Sequence, residues 1–363
     1  MRDFARLSGS DRAALFAEAA ARSGLPLVII EKDFWVCWLL QRLWDSPFAP
    51  HLIFKGGTSL SKCFGLIGRF SEDIDIGLDR AFLGFDGDND PAAEGLSSNQ
   101  RNKRVEKLKA AAKQWIQTDF LAGLTANIRA EIGESGWSFG TLHDSDGMPQ
   151  LRWNPPLSQV KRGKTVVADS YLNRGVLLEV GSRAAHWPAS RHDISSYVAQ
   201  QIPEAFTTPT ASICALEVAR TFWEKATILH VLHHETQNDL AAGKLVRERE
   251  RVSRHCYDLH CIAQSKVGND AISNFDLLAD VVRFKRVFFC SSLAKEKLYD
   301  DARPGTFRLT PHSALEKFFA ADYAKMLKSR MFFGTAPSWS EIRQTLQDVE
   351  KHINANEPNE PAA

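Results

Sequence analysis

Apolar and polar positions follow two rhythms along this chain, and the balance between them changes partway. Residues 9–23 repeat apolar positions at helical spacing, which predicts an amphipathic helix with Ser10 or Asp11 as its cap. Residues 25–43 are more apolar, and Glu31-Lys32-Asp33-Phe34-Trp35 opens a second, buried helix. Leu52-Ile53-Phe54 has the length and composition of a buried strand. After a Gly/Asp-rich loop over 84–98 comes a basic helix over 100–120; residues 126–132 and 150–153 then read as strands bracketing polar, glycine-containing loops. Gly175-Val176-Leu177-Leu178-Glu179-Val180 predicts another strand, with one carboxylate inside an apolar run. From Ile194 onward the pattern becomes helical, over 213–232, 252–263, 274–289, 315–326 and 339–353. Residues 354–363 are polar and proline-bearing, which predicts a disordered tail. The pattern therefore predicts an α+β fold: a helical segment over 1–48, a sheet domain over 49–192 and a helical domain over 193–353.

One stretch carries more chemistry than the rest. Phe54-Lys55-Gly56-Gly57-Thr58-Ser59-Leu60 is followed by Arg69-Phe70-Ser71-Glu72-Asp73-Ile74-Asp75-Ile76. It reads as a strand, a glycine turn, a short helix and a second strand. Gly56 and Gly57 let the backbone turn sharply and come close to a ligand. Thr58 or Ser59 is positioned to cap a helix through Lys62 and Leu66, with free N–H groups aimed at an anion. On the second strand Asp73 and Asp75 share one face while Ile74 and Ile76 bury on the other. Paired carboxylates repel and call for a cation between them, and a divalent metal facing a phosphate-binding turn is the working part of a nucleotidyltransferase. Asp-x-Asp alone does not name the reaction, because glycosyltransferases also hold a metal–nucleotide with it.

Lys55-Gly56-Gly57-Thr58-Ser59-Leu60-Ser61-Lys62 and the segment from Arg69 to Ile76 resemble the signature of AbiEii/AbiGii-type nucleotidyltransferase toxins, within the DNA polymerase β-like superfamily. Thr221-Phe222-Trp223-Glu224-Lys225-Ala226 resembles the family's Glu-Lys helix motif, and Arg254-His255-Cys256-Tyr257-Asp258-Leu259 its Arg-x-x-Tyr-Asp-Leu motif. The Glu-Lys-Asp pattern at 31–33 often precedes the family's first motif. The resemblance implies a nucleotidyltransferase mixed β-sheet core, with Mg²⁺ or Mn²⁺ as cofactor and an NTP as substrate. Asp73 and Asp75 would hold the metal, with Glu179 as the third carboxylate, a place where the family often has Asp. Gly56, Gly57, Thr58 and Ser59 would bind the β- and γ-phosphates, and Lys62, one helical turn beyond Thr58, is the favoured lysine contact. Lys225 would balance the triphosphate charge. Asp258 would act directly or would orient Lys225. The implied role is the toxin of a toxin–antitoxin or phage-defence pair, acting on the 3′ end of tRNA and controlled by an antitoxin. Transfer of AMP to a protein hydroxyl and a non-catalytic nucleotide-binding regulatory module are the alternatives.

Composition narrows the picture only slightly. Of 363 residues 44% are hydrophobic, ample for a core, and the formal net charge of +1 supplies no global field for a polyanion. Local basic clusters stand at 101–113, 161–164, 244–254 and 283–286. Cys37, Cys63, Cys214, Cys256, Cys261 and Cys290 form no disulfide-like framework, which suits a reducing cytoplasm. No apolar stretch has membrane-spanning length, and the start resembles no secretory signal. His230, His233, His234 and Glu235 match neither zinc-protease order, and His255, Cys256, His260 and Cys261 suit a structural zinc poorly. Asp169 with Glu179 echoes a metal nuclease, but Gly181 stands where that pattern needs lysine. A Walker-type phosphate loop is absent from the sequence.

Overall fold

The structure is a computed structural model that describes residues 1–157, 175–246, 251–290, 293–329 and 331–356. Of the sequence features above, the basic cluster at 161–164, Asp169 and residues 357–363 of the tail lie outside these. The chain divides into two compact units. The first comprises residues 1–65, 70–90 and 103–216, and the second residues 66–69, 91–102 and 217–363.

The first unit is built on a seven-stranded mixed sheet in the order β3-β4-β5-β2-β1-β7-β6. Its strands are β1 (Leu52–Lys55), β2 (Ile74–Leu78), β3 (Ser138–His143), β4 (Pro149–Asn154), β5 (Val176–Gly181), β6 (Ala189–Ser195) and β7 (Thr210–Leu216). The central pairs β2–β5 and β1–β7 are parallel and the others antiparallel. Helices α1 (Gly9–Ser23) and α2 (Leu27–Trp44) precede the sheet. Nearly every residue of α2 is buried, and Trp38 stacks on Trp153 of β4 with ring centroids 5.3 Å apart. Helix α2 is buried nearly all round, its charged Lys32, Asp33 and Arg42 included, because it lies within the core rather than over it. Helix α3 (Gly56–Lys62) leaves β1 directly, and α4 (Leu121–Ile132) comes before the β3–β4 hairpin.

The second unit is helical among its described residues. Helix α5 (Val218–Ala241) buries Phe222 and Trp223, whose ring meets Phe307 at 5.7 Å and Phe275 at 6.2 Å. It is followed by α6 (Ser253–Ala263), α7 (Phe275–Phe288), α8 (Glu316–Lys328) and α9 (Trp339–Ala355), close to the predicted spans.

Several expectations need correction. The cap of α1 is Ser8, whose hydroxyl accepts the Asp11 N–H at 3.1 Å. Residues 126–132 belong to helix α4, because Leu124 and Ile128 bury at helical spacing. Helix α3 begins at the glycines, so Thr58 and Ser59 lie inside it instead of capping it. Residues 213–216 are strand, and the long helix starts at Val218. The run Ile213-Cys214-Ala215-Leu216 is apolar enough to continue the helical pattern, but it pairs with β6 on one side and β1 on the other.

Candidate active site

Strand register assembles the polar row of the first unit. On β2, Ile74, Ile76 and Leu78 bury while Asp75 is half-buried. Asp75 stands opposite Glu179 on β5 and Lys55 on β1, and Glu179 stands opposite Gln150 on β4. Gln150, Glu179, Asp75 and Lys55 thus lie in one row across four adjacent strands. In-register partners point to the same face, so the two carboxylates meet. The Glu179 carboxyl is pushed up to about 8, first by burial, then by the charge of Asp75, with Asp73 adding and Lys55 opposing. Gln150 donates its amide N–H to Glu179 Oε1. Asp73 immediately precedes β2, and its backbone carbonyl accepts the Thr58 hydroxyl at 2.5 Å.

The glycine turn serves the carboxylates directly. Gly56 has φ +82°, and a Cβ there would stand 2.0 Å from Asp75 Oδ2. Only glycine allows the backbone to pass that close to the Asp75 carboxylate. The hydroxyls predicted to face phosphate turn inward. Thr58 bridges the Asp73 carbonyl and the Ser71 hydroxyl (2.9 Å), and Ser59 donates to the Gly56 carbonyl at 2.9 Å. Both residues are fully buried.

The Lys62 side chain is covered as well, with 6% of it exposed. Its ammonium pairs with Asp33 of α2 and lies 3.6 Å from the Tyr197 ring centroid. Burial opposes the charge, but Asp33 overrides it and holds Lys62 above the usual lysine value. The expected phosphate contact gives way to an internal ion pair, because the carboxylate that claims Lys62 comes from an earlier helix. A second buried pair, Lys32 with Glu72, starts from the neighbouring position of α2.

The remaining predicted residues meet in the second unit. Arg69 grips Asp258 of α6 through Nε–Oδ1 and Nη2–Oδ2, both 2.9 Å. Lys225 of α5 reaches Asp258 Oδ2 at 3.1 Å and His255 Nδ1 at 3.4 Å. Asp258 is fully buried, yet Arg69 and then Lys225 hold its carboxyl well below the usual carboxylate range. Burial pushes Lys225 down, with Asp258 opposing. The Gly68 N–H donates to the Tyr257 hydroxyl at 3.0 Å, and the Gly68 carbonyl accepts the Phe333 N–H at 2.7 Å. Both Asp258 oxygens are engaged by cations, Oδ1 by Arg69 and Oδ2 by Arg69 and Lys225. Arg69 is the first residue of the acidic signature segment, and nothing in its local sequence points to Asp258. A cation beside an acidic motif looks like ordinary surface charge until its distant partner is known.

Carboxylate oxygens are the hard donors that Mg²⁺ or Mn²⁺ takes, and a divalent cation would relieve the repulsion by Asp75 that, with burial, holds the Glu179 carboxyl up at about 8. Among the described residues, no group of three or more His, Cys, Asp or Glu is already arranged as a metal-ligand set.

A fold with a mixed sheet, a glycine turn and strand-borne carboxylates is that of a nucleotidyltransferase-type protein. A family model described as nucleotidyl transferase AbiEii toxin, type IV toxin–antitoxin system, matches residues 38–345, and the chain belongs to this family. The structure is also similar to MenT4, a nucleotidyltransferase toxin from Mycobacterium tuberculosis H37Rv, at 16% identity and a TM-score of 0.34, over 94% of this chain and 98% of that one. None of the curated proteins compared matches the chain. Among the described residues no single helix is long and apolar enough to cross a membrane.

Proposed function

We propose that this toxin transfers a nucleotide from an NTP to the 3′ end of tRNA. The acceptor hydroxyl oxygen would bond to the α-phosphorus as the bond to the β-phosphate oxygen breaks and pyrophosphate leaves. The in-register pair Asp75–Glu179 carries this reading, because two half-buried carboxylates on neighbouring strands are costly to ionise together unless a cation is bound there. Asp73, Asp75 and Glu179 would hold Mg²⁺ or Mn²⁺, which when bound activates an attacking oxygen and neutralises a leaving one. Gly56 and Gly57 would let the backbone approach the triphosphate. In the second unit Lys225 pairs with Asp258, and it is the lysine for which the family's motif implies charge balance. The family assignment implies an antitoxin partner, and a tRNA acceptor implies action in the cytoplasm, in a toxin–antitoxin or phage-defence setting.

The acceptor is tested by incubating the protein with Mg²⁺, each α-labelled NTP in turn and total tRNA together with cell protein. Label in the tRNA is expected. Label confined to a protein band would replace this acceptor with AMP transfer to a side-chain hydroxyl.

A further inference from the structure

Two consecutive residues of α2 send opposite charges to the two ends of the signature. Lys32 pairs with Glu72, the residue immediately before Asp73. Asp33 pairs with Lys62, which closes the helix that Gly56 opens. Relative exposures of 5% for Lys32, 8% for Glu72 and 1% for Asp33 put both pairs inside the protein. The Asp33 carboxylate is fixed a second time, since its Oδ2 accepts the Tyr197 N–H at 2.6 Å.

We propose that Lys32 and Asp33 are positioning residues of the transfer site, holding the Asp73 end and the Gly56 end of the signature in fixed relation. Buried ion pairs contribute little net stability, because apolar pairs of similar volume do as well or better. What they supply here is placement. Asp73 precedes β2 and lacks the sheet register that fixes Asp75. It is held from three sides: Thr58 on its own carbonyl, Glu72 tied to Lys32 before it, and Ile74 paired with Leu178 after it. The Thr58 tie depends in turn on α3, whose far end Asp33 holds through Lys62. Neither Lys32 nor Asp33 is assigned contact with substrate, so both act through the residues they anchor.

The inference rests on the transfer reaction proposed above and is tested on the full chain. The double variants Lys32→Met with Glu72→Gln, and Asp33→Asn with Lys62→Met, remove each pair without stranding a buried charge. Each is expected to keep the wild-type melting temperature within a few degrees and to lose about tenfold to hundredfold in kcat. KM for NTP should change much less for the Lys32 pair, because Asp73 acts on the reacting centre. Lys32→Arg, which keeps the ion pair, should recover part of the lost kcat and serves if a double variant folds poorly. Wild-type kcat and KM in both double variants would overturn the proposal. So would a loss that only tracks the fraction of unfolded protein, which would assign the pairs to stability alone. Absence of transfer by the wild type itself would overturn the underlying reading and this inference with it, and the wild-type control separates that case from the others.

Discussion

Arg69 and Asp258, 189 residues apart in sequence, form a bidentate pair with both hydrogen bonds at 2.9 Å, and Lys225 shares the same carboxylate. The arrangement makes Asp258 a junction between two cations. Arg69→Met should therefore destabilise the protein by about 3–5 kcal/mol, because Asp258 would keep its burial and lose its stronger partner. Arg69→Lys keeps a charge and loses the planar fork, so a smaller loss is expected. Urea denaturation of the full chain measures both, and a loss below about 1 kcal/mol for Arg69→Met would contradict this role.

Asp75→Asn should separate stability from activity. Asp75 and Glu179 face each other across a parallel strand pair. Above about pH 8, where Glu179 also carries its charge, removing one of the two like charges is expected to stabilise the metal-free protein by up to about 1 kcal/mol, and transfer should be abolished. Thermal melting without metal or nucleotide, beside an activity assay, gives both numbers.

Gly56→Ala should cost activity beyond backbone strain. Gly65 is the natural control, since it too has positive φ (+62°) but nothing stands within 4 Å of its missing Cβ, whereas at Gly56 the Cβ would meet Asp75 Oδ2 at 2.0 Å. Each substitution should lower stability by about 1–2 kcal/mol. Only Gly56→Ala should also lower kcat, by about a hundredfold, because the Asp75 carboxylate must move.

His230 should make the fold acid-sensitive. The Arg308 N–H donates to His230 Nδ1 at 3.0 Å and Nε2 donates to the Leu298 carbonyl, also at 3.0 Å, which fixes the neutral ring. Burial, followed by the neighbouring His234, pushes this histidine from 6.5 down to about 3. Between those values the unfolded chain binds a proton that the folded chain refuses. Stability is therefore lost as pH falls through this window, by up to about 1.4 kcal/mol per pH unit. His230→Gln should flatten that part of the profile, and an unchanged slope in chemical denaturation at pH 6, 5 and 4 would refute the assignment.

The sequence made some of this structure legible and hid other parts for physical reasons. The signature strands β1 and β2 and the run that becomes β5 are short, apolar and bounded by glycine or polar residues, so their type can be read locally. The register that sets Asp75 beside Glu179 cannot, because it depends on which strands become neighbours. β7 was hidden because only Glu217 separates its apolar residues from those of α5. Helix α4 was hidden because a short segment holding Ile128 and Ile132 also reads as strand. The inward turns of Thr58, Ser59 and Lys62 follow from tertiary partners. Asp33 claims Lys62 from an earlier helix, and no spacing within the glycine motif announces it. The Glu-Lys-Asp pattern was visible, but charges inside an apolar helix show only that partners must exist, not where they are.

The most direct test of the account compares α-labelled with γ-labelled NTP in the presence of Mg²⁺ and total tRNA, for the wild type and for Asp75→Ala. The account predicts that wild-type protein moves the α label into tRNA and releases the γ label as pyrophosphate, and that Asp75→Ala does neither. Transfer by Asp75→Ala at the wild-type rate, or entry of the γ label into the acceptor, would contradict it.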